Sequence, residues 1–310
     1  MINIIKKRFL FFAISISALL ISIIFLLSAG LNIGMDFSGG SRLTVNFEQQ
    51  VTIEELESEL TSIGYGTAIV QKASSDDFII RTAKLSAAEK ESVKTDLAAV
   101  FGEFTEKGFE DIPPETAIGT ARVAVFGLIL AAIVVMAYIT WAFRAMPKPL
   151  RYGVCAVIAL LHDTLIVLGI FAILGLTLNL EVNLMFITGI LAVIGYSVNN
   201  VVVIFDRIRE NVKANPGASF EMIVNNSVNQ TFSRSINTSL TTTITVLALI
   251  LFIGSSIESF AWALLIGIIA GTFNSLFVAT SLLVVWEKKE WRRFIDWLPM
   301  FKTKQQNINP

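Results

Sequence analysis

The chain has 310 residues, of which 54% are apolar and 16% charged, with a mean hydropathy of +0.68. A soluble domain carries about a quarter charged residues, so the composition excludes a free cytosolic enzyme. With 24 Lys plus Arg against 25 Asp plus Glu, the net charge of -1 offers no basic field for nucleic acid, and the single Cys155 builds neither an intramolecular disulfide nor a Cys-rich metal centre.

An apolar run at 9–29 predicts the first membrane span, and five more follow at 121–143, 152–176, 183–205, 233–254 and 260–286. An even number of spans puts both termini on one side. Lys and Arg near the span ends set the direction. Lys6, Lys7 and Arg8, then Arg144, Lys148 and Arg151, then Arg207, Arg209 and Lys213, then Lys288, Lys289, Arg292 and Arg293 all fall on the same face. That face is expected to be cytosolic, so both termini of this multi-pass chain are expected to be cytosolic. The loops 177–182 and 255–259 on the other face hold no Lys or Arg. The first run exceeds the roughly 7–15 apolar residues of a signal-peptide core, so it reads as an uncleaved anchor.

The chain divides into a tail and first span (1–31), a polar module (32–119), five spans (120–287) and a cytosolic tail (288–310). The polar module reads as β-α-β-β-α-β, a ferredoxin-like α+β arrangement on the outer side of the membrane. Leu43, Val45 and Phe47 alternate as a strand. Thr52 with Glu55, and Ser86 with Glu89, have the spacing of capping boxes that open two helices. The second of these is expected to turn Val93, Leu97 and Val100 inward. The strands 68–71 and 78–82 join around 74–77, and a last strand runs near 104–109. The module is acidic, which reads first as solvated helix faces. It holds no His, Cys or Asp set suited to a metal, cofactor or catalytic site.

Ionisable residues inside spans are costly and are functional candidates. His162 and Asp163 stand near the middle of the third span, in adjacent positions about 100° apart on a helix. The fourth span carries Tyr196, Ser197, Asn199 and Asn200, and exits through Asp206 to Glu210. The fifth opens with Arg234 and continues through Ser235, Asn237, Thr238, Ser239 and Thr241 to Thr243, a polar run that suggests a hydrated or tightly bonded interior. Arg234 and Asn200 lie in the cytosolic halves of their spans, at similar depth, unless Arg234 snorkels to the headgroups. Phe220, Ile223, Val224 and Val228 follow Pro216-Gly217 at helical spacing, so a short amphipathic helix is expected at the cytosolic interface, within a segment near 206–230. In the sixth span Ala263, Gly267, Gly271, Ser275 and Ala279 recur every four residues, a stripe for close helix packing.

These motifs together resemble the SecD/SecF family of protein-export membrane proteins, relatives of the RND transporters. The resemblance rests on Gly34-Met35-Asp36-Phe37-Ser38-Gly39-Gly40, on Leu161-His162-Asp163, on Gly195 to Asn200 leading to Phe205 to Asn211, on Arg234 to Thr243 and on Gly267 to Ser275. It covers nearly the whole chain and implies a six-span, RND-like half. It implies a non-enzymatic subunit that, with a SecD-like partner, acts beside the Sec channel (SecYEG), with YajC- and YidC-type proteins as further partners. Such a complex draws on the ion-motive force to help a translocating polypeptide leave on the outer side. Asp36, Phe37, Gly39, Gly40, Asp206 and Arg207 match the family signature. In the family an acid follows Asn in the fourth-span motif and works with an Arg of the fifth span. Arg234 matches that Arg, whereas Asn200 stands at the acid's position and cannot gain or lose a proton in the working pH range. The ion-pathway candidates are therefore Asp163, His162, Asn199, Asn200 and Arg234. The alternatives are an RND-like half-transporter of lipids or small molecules, and a passive assembly scaffold. No P-loop motif is present.

Overall fold

The structure, a computed structural model, describes residues 3–72, 77–252 and 257–291. Residues 73–76 in the turn between the middle strands, 253–256 with the start of the loop at 255–259, and the tail beyond 291 with Arg292 and Arg293 lie outside the described residues.

The chain enters through a 3-10 turn (Ile5–Lys7) into α1 (Arg8–Ser28). A one-turn helix, α2 (Met35–Ser38), leads into the sheet domain. This is built from β1 (Gly40–Phe47), α3 (Ile53–Ser62), β2 (Ile69–Lys72), β3 (Phe78–Thr82), α4 (Ala87–Phe101) and β4 (Phe104–Ile112). The strands lie in the order β2-β3-β1-β4, every pair antiparallel, with a register shift between Thr44 and Val45 of β1. Both capping boxes form: Thr52 Oγ1 accepts from the Glu55 amide, the Glu55 carboxylate accepts from the Thr52 amide, and Ser86 and Glu89 do the same. The sequence places an orphan-satisfying acceptor at each helix start, so the helices begin where the pattern says. Alternation on β1 sends Leu43, Val45 and Phe47 into one core with Leu56, Leu60, Ile80, Val93 and Leu97. Val100, expected inward, is 56% exposed. Phe101 fills that end of the core instead, its ring packed edge-on to Phe47 at 5.6 Å.

Pro114 at the first position opens α5 (Pro114–Ala142), followed by α6 (Leu150–Thr177), α7 (Leu184–Ala214), α8 (Phe220–Phe252) and α9 (Glu258–Phe273). The last helix passes through a π segment (Asn274–Ala279) into α10 (Thr280–Lys288). Six of these helical stretches are long and apolar enough to cross a membrane. The chain is a multi-pass membrane protein.

Two expectations change. The amphipathic stretch after Pro216-Gly217 is not a separate helix: α8 runs unbroken from Phe220 to Phe252. Nothing between those residues breaks a helix, and its buried Ile223, Val224 and Val228 pack into the same core as Phe205 and Ile208. Likewise α7 continues to Ala214, past the apolar run, its polar turns carrying the pairs Asp206–Arg209 and Arg207–Glu210.

Small residues set how closely the helices approach. A Cβ added at Gly267 of α9 would meet Val193 Cγ2 at 2.1 Å, and one at Gly189 of α7 would meet Ala263 Cβ at 2.9 Å. Gly169 of α6 faces Ser22 of α1 so closely that a Cβ would lie 2.4 Å from the serine Cα. Where no Cβ stands, the backbones themselves touch. At the sheet end of the bundle Gly39 and Gly40 adopt φ of 72° and 119°, and a Cβ on Gly40 would strike the Thr82 carbonyl oxygen at 2.5 Å. Only glycine fits both demands.

Candidate functional site: a polar cluster inside the helix bundle

Asp163 projects from the middle of α6 and is 1% exposed. Ser197 of α7 donates its hydroxyl to Oδ2 at 2.7 Å, and Asn274 donates its amide to Oδ1 at 2.7 Å. His162 Nδ1 lies 3.2 Å from the same Oδ1, and its Nε2 lies 2.7 Å from the Ser15 hydroxyl of α1. An ionised carboxylate only accepts. With Asp163 ionised, the imidazole donates from Nδ1, and a neutral ring accepts the Ser15 proton at Nε2. A hydrogen-bonded chain, Ser15–His162–Asp163–Ser197, thus crosses α1, α6 and α7, with Asn274 closing it from the π segment.

The elements explain how this is reached. Ser197 comes within bonding distance because Gly271 on α9 has no side chain: a Cβ there would lie 3.2 Å from both Asp163 Oδ2 and Ser197 Oγ. Ala263, Gly267 and Gly271 form the α9 face that lets α7 close. Ser275, a turn further on, is fully buried and donates to the Thr272 carbonyl. Asn274 stands where the helix loosens into π turns, a feature frequent at functional sites. It also donates to the Ala159 carbonyl at 2.6 Å, while its Oδ1 has no partner among the described residues. His162 and Asp163, adjacent on α6, therefore do contact one another, and each also reaches a different neighbouring helix.

The other candidates lie apart. Asn200 is 3% exposed, and its Nδ2 finds no partner among the described residues; Asn199 is on the exposed flank of α7. Arg234 is exposed on α8 and lines a polar cavity of about 280 Å³ with Val203, Asp206, Arg207, Glu210, Gln230 and Thr231. Among the described residues it is not bonded to Asp163 or Asn200. In the cavity Arg207 donates to Gln230 at 2.7 Å and pairs with Glu210 at 2.6 Å.

The glycine-rich signature is more than a turn. Asp36 Oδ2 accepts from the Leu184 amide at 2.8 Å, capping α7 beside the Asn183 cap, and Phe37 packs against the core shared by α6 and α7. Ser15 and Asn274 were not singled out by the sequence. For Asn274 the signal was there: an amide inside an apolar span, within the run from Gly267 to Ser275, needs a partner in the bundle.

Two family models match: "Protein export membrane protein SecD/SecF, C-terminal" over residues 92–289 and the "SecD/SecF GG Motif" over residues 24–51. The chain is 40% identical to the protein translocase subunit SecF of Thermobaculum terrenum, covering 94% of this chain and 96% of that one. It is 33% identical to the protein translocase subunit SecDF of Bacillus subtilis, over 93% of this chain but only 38% of that one. The crystal structure of SecDF, a translocon-associated membrane protein from Thermus thermophilus, superposes with a TM-score of 0.82 at 30% identity, covering 93% of this chain and 39% of that one. A SecDF structure in the super-membrane-facing form gives 0.65 at 28% identity, covering 96% and 40%. The chain belongs to the SecD/SecF family of protein translocase subunits. The role its relatives' names carry is transport.

Proposed function

We propose that this chain is the SecF-type half of a SecD–SecF complex that uses the ion-motive force to assist Sec-dependent translocation across the bacterial plasma membrane. Asp163 carries the reading: a carboxylate at mid-span, held among the described residues by a hydroxyl, an amide and an imidazole and by no Lys or Arg, is the kind of group that exchanges a proton or attends an ion in a membrane bundle. In this reading both termini and the Arg234 cavity are cytosolic, and the sheet domain, ferredoxin-like in its strand order, stands outside, where an emerging polypeptide meets it. The chain acts by conformational coupling, without a catalytic step of its own.

The exposed polar flank of the bundle supports a second half as its occupant. Asn199, Arg234, Asn237, Thr238, Thr241 and Thr245 are exposed along one flank of α7 and α8. Facing acyl chains, such a stripe carries a large penalty; against a second polar bundle it finds partners. The SecDF relative is longer than this chain, which spans 38% of it, and that supports a SecD-like chain as the occupant. An acid on that partner is the natural counter-charge for Arg234, since a guanidinium stays charged at every cellular pH. The Sec channel is the proposed neighbour of the assembled pair.

The test is export driven by an imposed ion gradient in membranes carrying the complex. Asp163→Asn is expected to reduce ion-driven export with assembly intact, and Asn200→Asp to strengthen its proton dependence. Unchanged export in Asp163→Asn would assign the ion step to the partner and leave this chain a scaffold.

A further inference from the structure

At the sheet end of the bundle, four parts of the chain converge on one ion pair. Arg81 of β3 pairs through Nη1 with Glu181 Oε1 at 2.5 Å, the two side chains being 9% and 16% exposed. Glu181 lies in the loop between α6 and α7. Arg81 Nη2 also donates to the Ile33 carbonyl at 3.1 Å, on the segment leaving α1. The Glu181 carbonyl accepts from Ser259 Oγ, at the start of α9, at 2.8 Å. Ile33 and Val182 form an isolated parallel bridge, and the Gly34 amide donates to the Val182 carbonyl at 2.9 Å. Gly34 is needed for the fit: a Cβ there would stand 2.8 Å from Asn183 Cβ and 3.1 Å from Glu181 Oε2.

The loop that Arg81 grips is the bend of a two-armed lever. Asp163 lies fourteen residues before the end of α6 at Thr177, and Ser197 thirteen residues after the start of α7 at Leu184. At about 1.5 Å per residue both sit roughly 20 Å from the loop. Between loop and cluster the two arms share a packed core that includes Val167, Phe171, Val182, Phe186 and Ile190, with the Phe171 and Phe186 rings 4.5 Å apart. Close-packed interiors transmit displacement instead of absorbing it. Sliding one arm past the other by a single residue's rise, about 1.5 Å, would stretch the 2.7 Å Ser197–Asp163 bond to roughly 3.1 Å, past the usual O–H···O range, and weaken it.

We propose that the Arg81–Glu181 pair is the strut through which movement of the sheet domain reaches the Asp163 cluster. Arg81 and Glu181 are positioning residues: neither touches the ion, and both set the offset of α6 and α7 that places Ser197 on Asp163. The proposal rests on the reading of Asp163 as the coupling group, but its test does not use export.

The full chain with its SecD-like partner is reconstituted in nanodiscs, with spin labels at Glu57→Cys on α3 and Leu176→Cys at the end of α6; buried Cys155 stays unlabelled. Two signals are read: the label-to-label distance distribution, and the infrared band of the Asp163 carboxyl, assigned by its loss in Asp163→Asn. Arg81→Glu and Glu181→Arg are each expected to broaden the distances and shift the band, and the double exchange to restore both. Arg81→Met, which keeps the volume, is expected to act like Arg81→Glu in milder form and covers the case in which a charge reversal fails to fold. A band that stays in place while the distances broaden would make the pair a local tether and overturn the proposal. So would a double exchange that restores neither signal. Unchanged export in the single exchanges, with both signals behaving as expected, would leave the strut standing and count against the export reading alone.

Discussion

Ser197 on α7 donates its hydroxyl to the buried Asp163 carboxylate on α6 at 2.7 Å, across a gap that exists because Gly271 on α9 has no Cβ to fill it. Three helices thus specify one hydrogen bond. Removing the donor leaves a buried carboxylate oxygen short of a partner, a loss of about 1.5–3 kcal/mol for a bond to a charged group. Ser197→Ala is expected to lower the unfolding midpoint in detergent, and Gly271→Val to lower it further by wedging α9 away. Ser197→Ala with wild-type stability would show that the hydroxyl does not support the carboxylate.

The α1–α6 contact makes a separate prediction. At Gly169 the obstacle is the backbone of Ser22, which cannot rotate aside. Gly169→Ala is expected to cost about 1–3 kcal/mol in strain and to draw Ser15 away from His162. The imidazole NMR signal reports that separation, whereas Gly195→Ala, with nothing within 4 Å of its added Cβ, should move neither stability nor signal. An unchanged His162 signal in Gly169→Ala would mean that α1 is not held where the structure shows it.

How much of this could be read from the sequence differs by element. The capping boxes at Thr52 and Ser86 are local chemistry, complete within four residues, and they were legible. The apolar runs were legible as spans because a bilayer demands a fixed length of them. The ends of α7 and α8 were not, since hydropathy reports where the lipid stops and the helix continues into the polar layer. Asp163 declared itself by cost alone, but Asn274, which bonds it, and Ser15, which bonds its neighbour His162, are more than a hundred residues away in the chain, and no periodicity links them. Asp36 was legible as a signature residue and not as the cap of α7, because that bond spans 148 positions.

Glu181 gives a pH dependence. Burial pushes its carboxyl above the usual glutamate range and Asp36 pushes the same way, outweighing the opposing pull of Arg81 and Arg42. A folded state that holds the proton more tightly than the unfolded one is favoured by acid. The contribution is fully present below the ordinary glutamate value and is lost as pH rises through the raised one. The unfolding midpoint in detergent is therefore expected to fall as pH rises through that window, and Glu181→Gln, which cannot titrate, to remove this part of the dependence. A midpoint whose pH dependence is the same in Glu181→Gln as in the wild type would refute the assignment.

Arg234 separates charge from position. If its counter-charge is an acid of the partner, Arg234→Met is expected to lower ion-driven export at least tenfold with assembly intact, while Arg234→Lys retains part of it. If both variants export like wild type, the guanidinium only reaches for the headgroups.

If Asp163 lies on the path of the coupling ion, ion flux through the complex depends on its carboxylate. The purified SecD–SecF complex is reconstituted in liposomes with an internal pH or sodium dye, a gradient is imposed, and uptake is compared between wild type and Asp163→Asn, with Ser197→Ala as a milder lesion of the same cluster. Uptake is expected to fall to background in Asp163→Asn and to be partly lost in Ser197→Ala. Wild-type flux in Asp163→Asn, with the complex intact, would contradict the placement of Asp163 on that path.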